Sequence, residues 1–412
     1  MKRRHFMKAI IGAAGANSFL SGNPMNWQIN PALAAEGKTL VVIFQRGGCD
    51  GLNSVIPYTE ERYYELRPTI AIAPPDENDN NSALDLNGHL GLHPALSGLH
   101  SLYQQNRLAV FPTTHYPNGS RSHFQSQFYI ESGQRVSESD GWINRHMQSQ
   151  RNNASYRAVG FGNELAQSLR GDETVSSLTR LANFDIGIDS NEEALLLQKV
   201  SPLYQQSTNS SNKALLNRFG QKLFSELSFI NDVRATEYQA ENGAVYSNSN
   251  FSGQLRDTAQ LIKSGVGLEI ATVDIGGWDT HSNQGGAMGN QARRHQDFAE
   301  GIAAFVQDMG QAMDDIVLIT STEFGRTAAE NGSQGTDHGY ASTWYAIGGG
   351  IQGGVYGDWP GLQESDLRDG RFLNATMDYR NIYAEVLKNH LFNTDYASIL
   401  PDFTPTELNL FT

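Results

Sequence analysis

Thr39-Leu40-Val41-Val42-Ile43-Phe44-Gln45 is an unbroken, largely β-branched apolar run that stops at Arg46-Gly47-Gly48. A strand with one wet face alternates polar and apolar side chains. This run is apolar on both faces, so it belongs inside a sheet covered on both sides, as parallel sheets are. Pro94 to Gln105 then carries Leu96, Leu99, Leu102 and Tyr103 at helical spacing, and Leu108-Ala109-Val110-Phe111 follows as a strand predicted to end at Pro112. Strand, helix, strand is the βαβ signature. Further along, the pattern predicts a helix over 123–132, a strand near 157–160, a strand over 268–275 and a helix over 290–309 with Phe298, Ile302 and Phe305 on one side. Strands over 316–320 and 343–347 and a closing helix over 379–391 complete the series. The expected fold class is α/β, a mostly parallel central sheet with helices on both faces. Between 191 and 265 the rhythm changes to a long helical stripe, with Leu215, Leu216, Phe219, Leu223, Phe224, Leu227 and Ile230 at 3.6-residue spacing, which predicts a helical insertion packed on the sheet.

Charge narrows the partners. Of 412 residues, 30 are Lys or Arg and 44 are Asp or Glu, a net charge of −14. With no basic run beyond the first few residues, nucleic acid and anionic membrane surfaces are disfavoured. The single cysteine, Cys49, rules out intramolecular disulfides and thiolate metal clusters. It suits a small buried residue better than a reactive thiol.

The chain opens Met1-Lys2-Arg3-Arg4-His5-Phe6-Met7-Lys8, continues with a weakly apolar stretch from Ala9 to Leu20, and reaches Ala32-Leu33-Ala34. The basic start, the short apolar stretch and the small-residue cleavage site resemble a twin-arginine export signal. The apolar part is too short and too polar to span a bilayer. The expectation is that residues 1–34 are an export signal read by the twin-arginine machinery, and that 35–412 form a single α/β domain in the periplasm or outside the cell, free of membrane. Loss of Lys2, Arg3, Arg4 and Lys8 with no acid deepens the charge to −18.

In an open α/β sheet the loops leaving the strand carboxyl ends gather at one edge, where ligands bind. The polar motifs fall in those loops: Asp50 after the first strand, Arg121-Ser122-His123 after the second, Asp279-Thr280-His281 after 268–275, and Glu323 and Arg326, then Asp337-His338, after 316–320. Carboxylates and imidazoles crowded together repel one another unless a cation lies between them. Oxygen and imidazole donors without thiolate suit zinc, manganese, magnesium, calcium or iron. The candidate metal ligands are Asp50, Asp279, His281, Glu323, Asp337 and His338. Taken singly, each motif has a plainer reading. Asp50 suits a turn, Ser122 an N-cap as well as a nucleophile, and Glu323 with Arg326 a simple ion pair. No G-x-G-x-x-G, P-loop or G-x-S-x-G is present.

Arg46 to Asn53, Leu92-His93-Pro94-Ala95-Leu96, Arg121-Ser122-His123-Phe124, Asp140-Gly141-Trp142, Trp278 to His281, Thr322 to Thr327 and Asp337-His338-Gly339 together resemble the exported bacterial proteins grouped as domain of unknown function 1501. That family is similar to the alkaline phosphatase-like superfamily of phosphatases, sulfatases and phosphoglycerate mutases. The resemblance implies an alkaline phosphatase-like α/β sandwich with metal ligands at the strand ends and a nucleophile at a helix start. It makes Asp50 the first-strand metal Asp, Ser122 the nucleophile, Asp279 and His281 one ligand pair, and His338, with Asp337, the late ligand. At Glu323 the chain departs from the superfamily, which places an Asp-His pair there; one imidazole fewer argues against a full two-metal site. Cys49 lacks the context of a modified-cysteine nucleophile.

The leading expectation is an exported, divalent-metal-dependent hydrolase of phosphate or sulfate esters acting on an anionic small-molecule or polymer substrate. Ser122 is its candidate nucleophile, His123 its acid or orienting group, and Arg121 and Arg326 its anion-holding arginines. The alternative is a non-catalytic exported binding or surface-assembly protein that retains the hydrolase fold. A metal-dependent oxidoreductase is a weaker third reading, with no flavin, haem or molybdopterin motif behind it.

Overall fold

The computed structural model describes residues 37–117, 119–134, 140–150, 156–183 and 237–412, with isolated positions between 195 and 233. The proposed export signal and most of residues 191–236, including Leu215, Leu216, Phe219, Leu223, Phe224 and Leu227, lie outside the described residues.

One nine-stranded sheet organises the molecule. In chain order its strands are β1 (Thr39–Arg46), β2 (Leu108–His115), β3 (Ala158–Phe161), β4 (Ser176–Leu178), β5 (Ile270–Gly276), β6 (Ile316–Ser321), β7 (Ser342–Gly348), β8 (Gly354–Val355) and β9 (Met377–Asp378). Across the sheet the order is β8-β2-β7-β6-β1-β5-β3-β4, with β9 beside β2. β1 lies at the centre, parallel to both β5 and β6, and β7 alone runs antiparallel, between β6 and β2. The α/β expectation holds.

The apolar run explains the centre. Val41 and Ile43 point into one core and Leu40, Val42 and Phe44 into the other, all at 5% exposure or less. Three helices supply the first core: α1 (Ser97–Gln104), α4 (Asn250–Lys263) and α5 (Asn290–Met309), through residues such as Leu99, Leu255, Phe298 and Ile302. The second core is closed by α2 (His123–Ser132), α3 (Trp142–Ser149) and α6 (Tyr379–Asn389), through Ile130, Trp142, Ile143, Ile382 and Tyr383. Period two in the strand thus becomes a two-sided core. Ile230, one described position of the helical stretch, packs into the first core.

Two differences from the sequence reading have local causes. β2 does not end at Pro112 but continues to His115. Its pairing with β7 shifts register between Ser342 and Trp344, and this irregularity accommodates a residue that has no N–H to give the ladder. The short strands β4, β8 and β9 are not predicted, because two or three residues carry no periodicity to read, and neither is the eight-residue helix α3, whose start at Gly141 carries no side-chain cap. The longest helix, Asn290–Met309, spans the predicted residues.

Candidate metal centre

The carboxyl ends of β1, β5 and β6 and the loop entering β7 meet at one edge of the sheet. Close approach of these loops depends on Gly47, whose φ is +124° and where a Cβ would sit 2.7 Å from the Asp279 amide nitrogen. The loop after β5 is anchored by Trp278, buried to 1% exposure, whose indole N–H donates to the Ile275 carbonyl at 3.0 Å. The next residue, Asp279, is left facing the edge.

Three imidazoles surround Asp279, and their partners fix their protons. His123 Nδ1 lies 2.9 Å from a carboxylate oxygen of Glu323, His281 Nδ1 2.8 Å from Asp337, and His338 Nδ1 2.9 Å from the Arg121 carbonyl. Carboxylates and carbonyls only accept, so each Nδ1 carries the hydrogen, and each ring in its neutral form turns a lone pair outward at Nε2. Those Nε2 atoms converge on one carboxylate: His281 at 3.0 Å and His338 at 3.3 Å from Asp279 Oδ1, and His123 at 3.5 Å from Oδ2. His281 and His338 also face each other, Nε2 to Nε2, at 3.1 Å. Such a set of acceptors repels itself unless a proton or a cation lies among them. His123, Asp279 and His338 offer ligand atoms all within 4.8 Å of one another, a group able to hold a metal ion. Ligating histidines characteristically tie their second nitrogen to a carboxylate or carbonyl in this way.

Electrostatics favours the ionised carboxylates and a neutral His338, and favours a proton on His123. Burial raises the Asp279 carboxyl, but the Arg326 guanidinium outweighs it and holds the pKa below the usual value. Glu323 is raised by burial too, yet hydrogen bonds from His123 and Gln127 bring it below the ordinary range. Asp337 is lowered chiefly by its hydrogen bond with His281. His338 is lowered by desolvation, with Arg326 and His123 adding to it, which keeps the ring neutral and its lone pair available. His123 is raised, first by its hydrogen bond to Glu323. Three ionised carboxylates around one buried arginine leave the cluster short of positive charge.

Glu323, Asp337 and Asp50, all anticipated as ligands, are placed differently from one another. Glu323 is fully buried, and one of its oxygens accepts from Gly47 N–H, His123 and Gln127, each at 2.9 Å. That oxygen is saturated, and Glu323 stands behind His123. Asp337 stands behind His281 and also accepts from Asn331 at 3.1 Å. Asp50 is not part of the cluster. Its two oxygens take a bidentate pair of bonds from the fully buried Arg67, at 2.6 and 2.9 Å, and the Gln284 amide donates to one of them at 2.6 Å.

The arginines also separate. Arg326 was expected to hold substrate, but it is buried and committed to the protein. It donates to the carbonyls of Gly47, Gly48, Trp278 and Thr336 and, at 2.6 Å, to Asp279. It clasps three loops and leaves no face for an anion. Arg121 is exposed, its guanidinium 4.8 Å from the Phe372 ring centroid. Ser122 is exposed at the N-cap of α2, and its side chain makes no capping bond. Cys49 is buried, with its thiol pushed up to about 12 by desolvation, which excludes a thiolate role near neutral pH.

His123 among the candidate ligands, and Arg67 and Gln284 as the partners of Asp50, are not anticipated by the sequence. His123 sits beside Ser122 in a helix start and drew an acid-base assignment; its side-chain direction was the missing information. Arg67 had no flanking motif to mark it.

The sequence from 37 to 400 matches the family model described as "Protein of unknown function (DUF1501)". The chain belongs to this family. No curated protein matches it. Among solved structures, the lipoteichoic acid synthase LtaP from Listeria monocytogenes is similar with a TM-score of 0.41 and 11% identity, over 98% of this chain and 81% of that one. The PsFucS1 sulfatase from Pseudoalteromonas sp. gives 0.37 and 12% over 92% and 77%, and the alkaline phosphatase from the Antarctic bacterium TAB5 gives 0.34 and 9% over 86% and 98%. Among the described residues no helix is long and apolar enough to cross a membrane.

Proposed function

We propose that this DUF1501 chain is a metal-dependent hydrolase of phosphate or sulfate esters. The observation that carries the reading is the common orientation of His123, His281 and His338, each with Nδ1 held by an acceptor and Nε2 turned towards Asp279. One divalent cation would be held there by His123, Asp279 and His338, with His281 beside them as a fourth donor. Three imidazoles and one carboxylate suit zinc or manganese better than magnesium or calcium, which prefer oxygen. When bound, such a cation polarises the ester oxygen and lowers the pKa of a hydroxyl or water beside it.

The rest falls to the chain. Ser122 supplies an exposed hydroxyl one residue before His123, at the start of a ten-residue helix. Its oxygen, having given its proton to solvent, would bond to phosphorus or sulfur as the bond to the ester's alcohol breaks and the alcohol leaves with a proton from water. A second water would then cleave the seryl ester, releasing phosphate or sulfate and restoring the serine, while the first turn of α2 offers N–H groups to the ester oxygens. Arg326 keeps Asp279 ionised and in place. Glu323, Asp337 and the Arg121 carbonyl hold the imidazoles in their ligating tautomer. Residues 1–34 are proposed as the twin-arginine signal and 35–412 as one mature domain in the periplasm or outside the cell. The test is metal content together with hydrolysis of aryl phosphate and aryl sulfate by wild type and Asp279→Ala. Turnover that disappears with the metal supports the reading, and a metal-free, inactive wild type after zinc or manganese loading overturns it.

A further inference from the structure

Beside the centre, three arginines lie on two aromatic rings. Phe372 carries two of them, Arg121 at 4.8 Å and Arg371 at 5.3 Å from the ring centroid, and Tyr340 carries Arg368 at 4.1 Å. Both rings are buried in the same apolar cluster. The patch adjoins the centre directly. The Arg121 carbonyl accepts the His338 hydrogen bond, Tyr340 follows His338 by two residues, and Phe372 forms a β-bridge with Thr327, next to Arg326.

Among the described residues, none of these three guanidinium groups forms an ion pair with a carboxylate or donates a hydrogen bond. That is notable in a chain with 44 acidic residues against 30 basic ones. The carboxylates of the same loop, Glu364, Asp366 and Asp369, form no ion pair with them either; Asp366 instead accepts from the Gln363 backbone N–H at 3.1 Å. A guanidinium laid on a ring keeps its N–H edges free and loses little freedom when it meets an oxyanion. Three such edges beside one centre exceed what a single monoester needs.

We propose that Arg121, Arg368 and Arg371 recognise further anionic groups of the substrate, so that the substrate class is a polymer or oligomer carrying repeated sulfate or phosphate monoesters. This deepens the hydrolase reading and rests on it for the identity of the reacting group. One ester would sit at the centre while its neighbours along the chain meet the arginines as charge-assisted, partly bidentate hydrogen bonds. Charge complementarity makes such binding strongly salt-dependent.

The test is binding in the absence of turnover. Full-length protein stripped of metal is titrated, by fluorescence anisotropy at several salt concentrations, into labelled dextran sulfate, phosphorylated dextran, neutral dextran and a DNA duplex. Wild type is expected to bind one or both ester polymers, which identifies sulfate or phosphate, and to ignore neutral dextran. Arg368→Gln with Arg371→Gln is expected to weaken that binding at least tenfold and flatten its salt dependence, while Arg371→Lys retains most of it. Arg371 is exposed, so Arg371→Gln alone carries the comparison if the double variant fails to fold. Equal affinity in wild type and variant, equal binding of neutral dextran, or tighter binding of DNA than of either ester polymer overturns the proposal. Aryl ester hydrolysis with no polymer binding sinks this inference and leaves the hydrolase reading standing. Polymer binding without any hydrolysis does the reverse.

Discussion

The buried carboxylate of Glu323 holds the Nδ1–H of His123 at 2.9 Å, and the opposite nitrogen of the ring faces Asp279. The pair sets both the tautomer and the angle of the imidazole. Glu323→Gln keeps the shape but removes the charge, and its amide can present a donor where an acceptor is needed. Metal affinity is expected to fall about 10–100-fold with the fold intact, as measured by competition with a coloured chelator. Unchanged affinity would show that Glu323 does not orient the ring.

Asp50 gives the contrasting case. Its carboxylate and Arg67 form a bidentate pair, both essentially without solvent contact. Arg67 also donates to the carbonyls of Thr327 and Ala328, so the pair braces the loop behind the centre. Removing one partner strands a buried charge, which costs about 3–5 kcal/mol. Asp50→Ala should therefore lower the denaturant midpoint sharply while the folded fraction keeps the wild-type metal stoichiometry. A stable variant that has lost its metal would make Asp50 a ligand after all.

The contrast between Asp50 and Asp279 marks what can be read without coordinates. Both stand after a strand in a glycine-rich loop, and the pattern of strands places both at the same edge. Legible in the sequence were the doubly apolar run that became β1, the 20-residue helix α5, and the gathering of His123, Asp279, His281, Glu323, Asp337 and His338. What separates the two aspartates is a residue 17 positions away, Arg67, whose reach depends on a turn that no periodicity announces. Arg326 misled for the same reason: its type fits anion binding, and only its burial shows that it serves the backbone. Pro112 punctuates local propensity, and β2 overrides it through tertiary pairing.

Arg326 itself is testable. Its planar fork serves four carbonyls and Asp279 together, and a lysine offers one point charge with three rotatable donors. Arg326→Lys is expected to leave buried carbonyls unsatisfied, at about 1–3 kcal/mol each, and to loosen Asp279. The prediction is a lower melting temperature together with weaker metal binding. Loss of substrate affinity alone, with stability and metal unchanged, would restore the anion-holding role.

Buried histidines predict how stability follows pH. Burial pushes His93 and His390 down to about 4 and His115 to about 3, and His295 well below 6.5. In the unfolded chain each takes up a proton below about 6.5, whereas the folded chain does so only near 3–4. The unfolded state binds more protons across that window, so stability falls as pH drops from 6.5, by about 1.4 kcal/mol per unit for each histidine. His123, whose pKa is raised, gains its contribution as pH falls through the range around and above 6.5 and leaves the slope well below 6.5 nearly unchanged. Paired carboxylates such as Glu269, held at about 2 by His146 and Arg157 against the raising effect of burial, lose their contribution only below about pH 4.5. Urea unfolding at pH 7.5, 6.5, 5.5 and 5.0 should show the decline between 6.5 and 5.0. A flat profile there would mean the imidazoles are hydrated or paired.

The central claim is that Asp279 and three lone-pair-bearing imidazoles hold one cation. Metal analysis of the purified chain loaded with zinc or manganese, and of its Asp279→Ala variant at equal folded concentration, tests it most directly. About one metal per wild-type chain is expected, and close to none in the variant. Equal metal in both, or none in either, would contradict it.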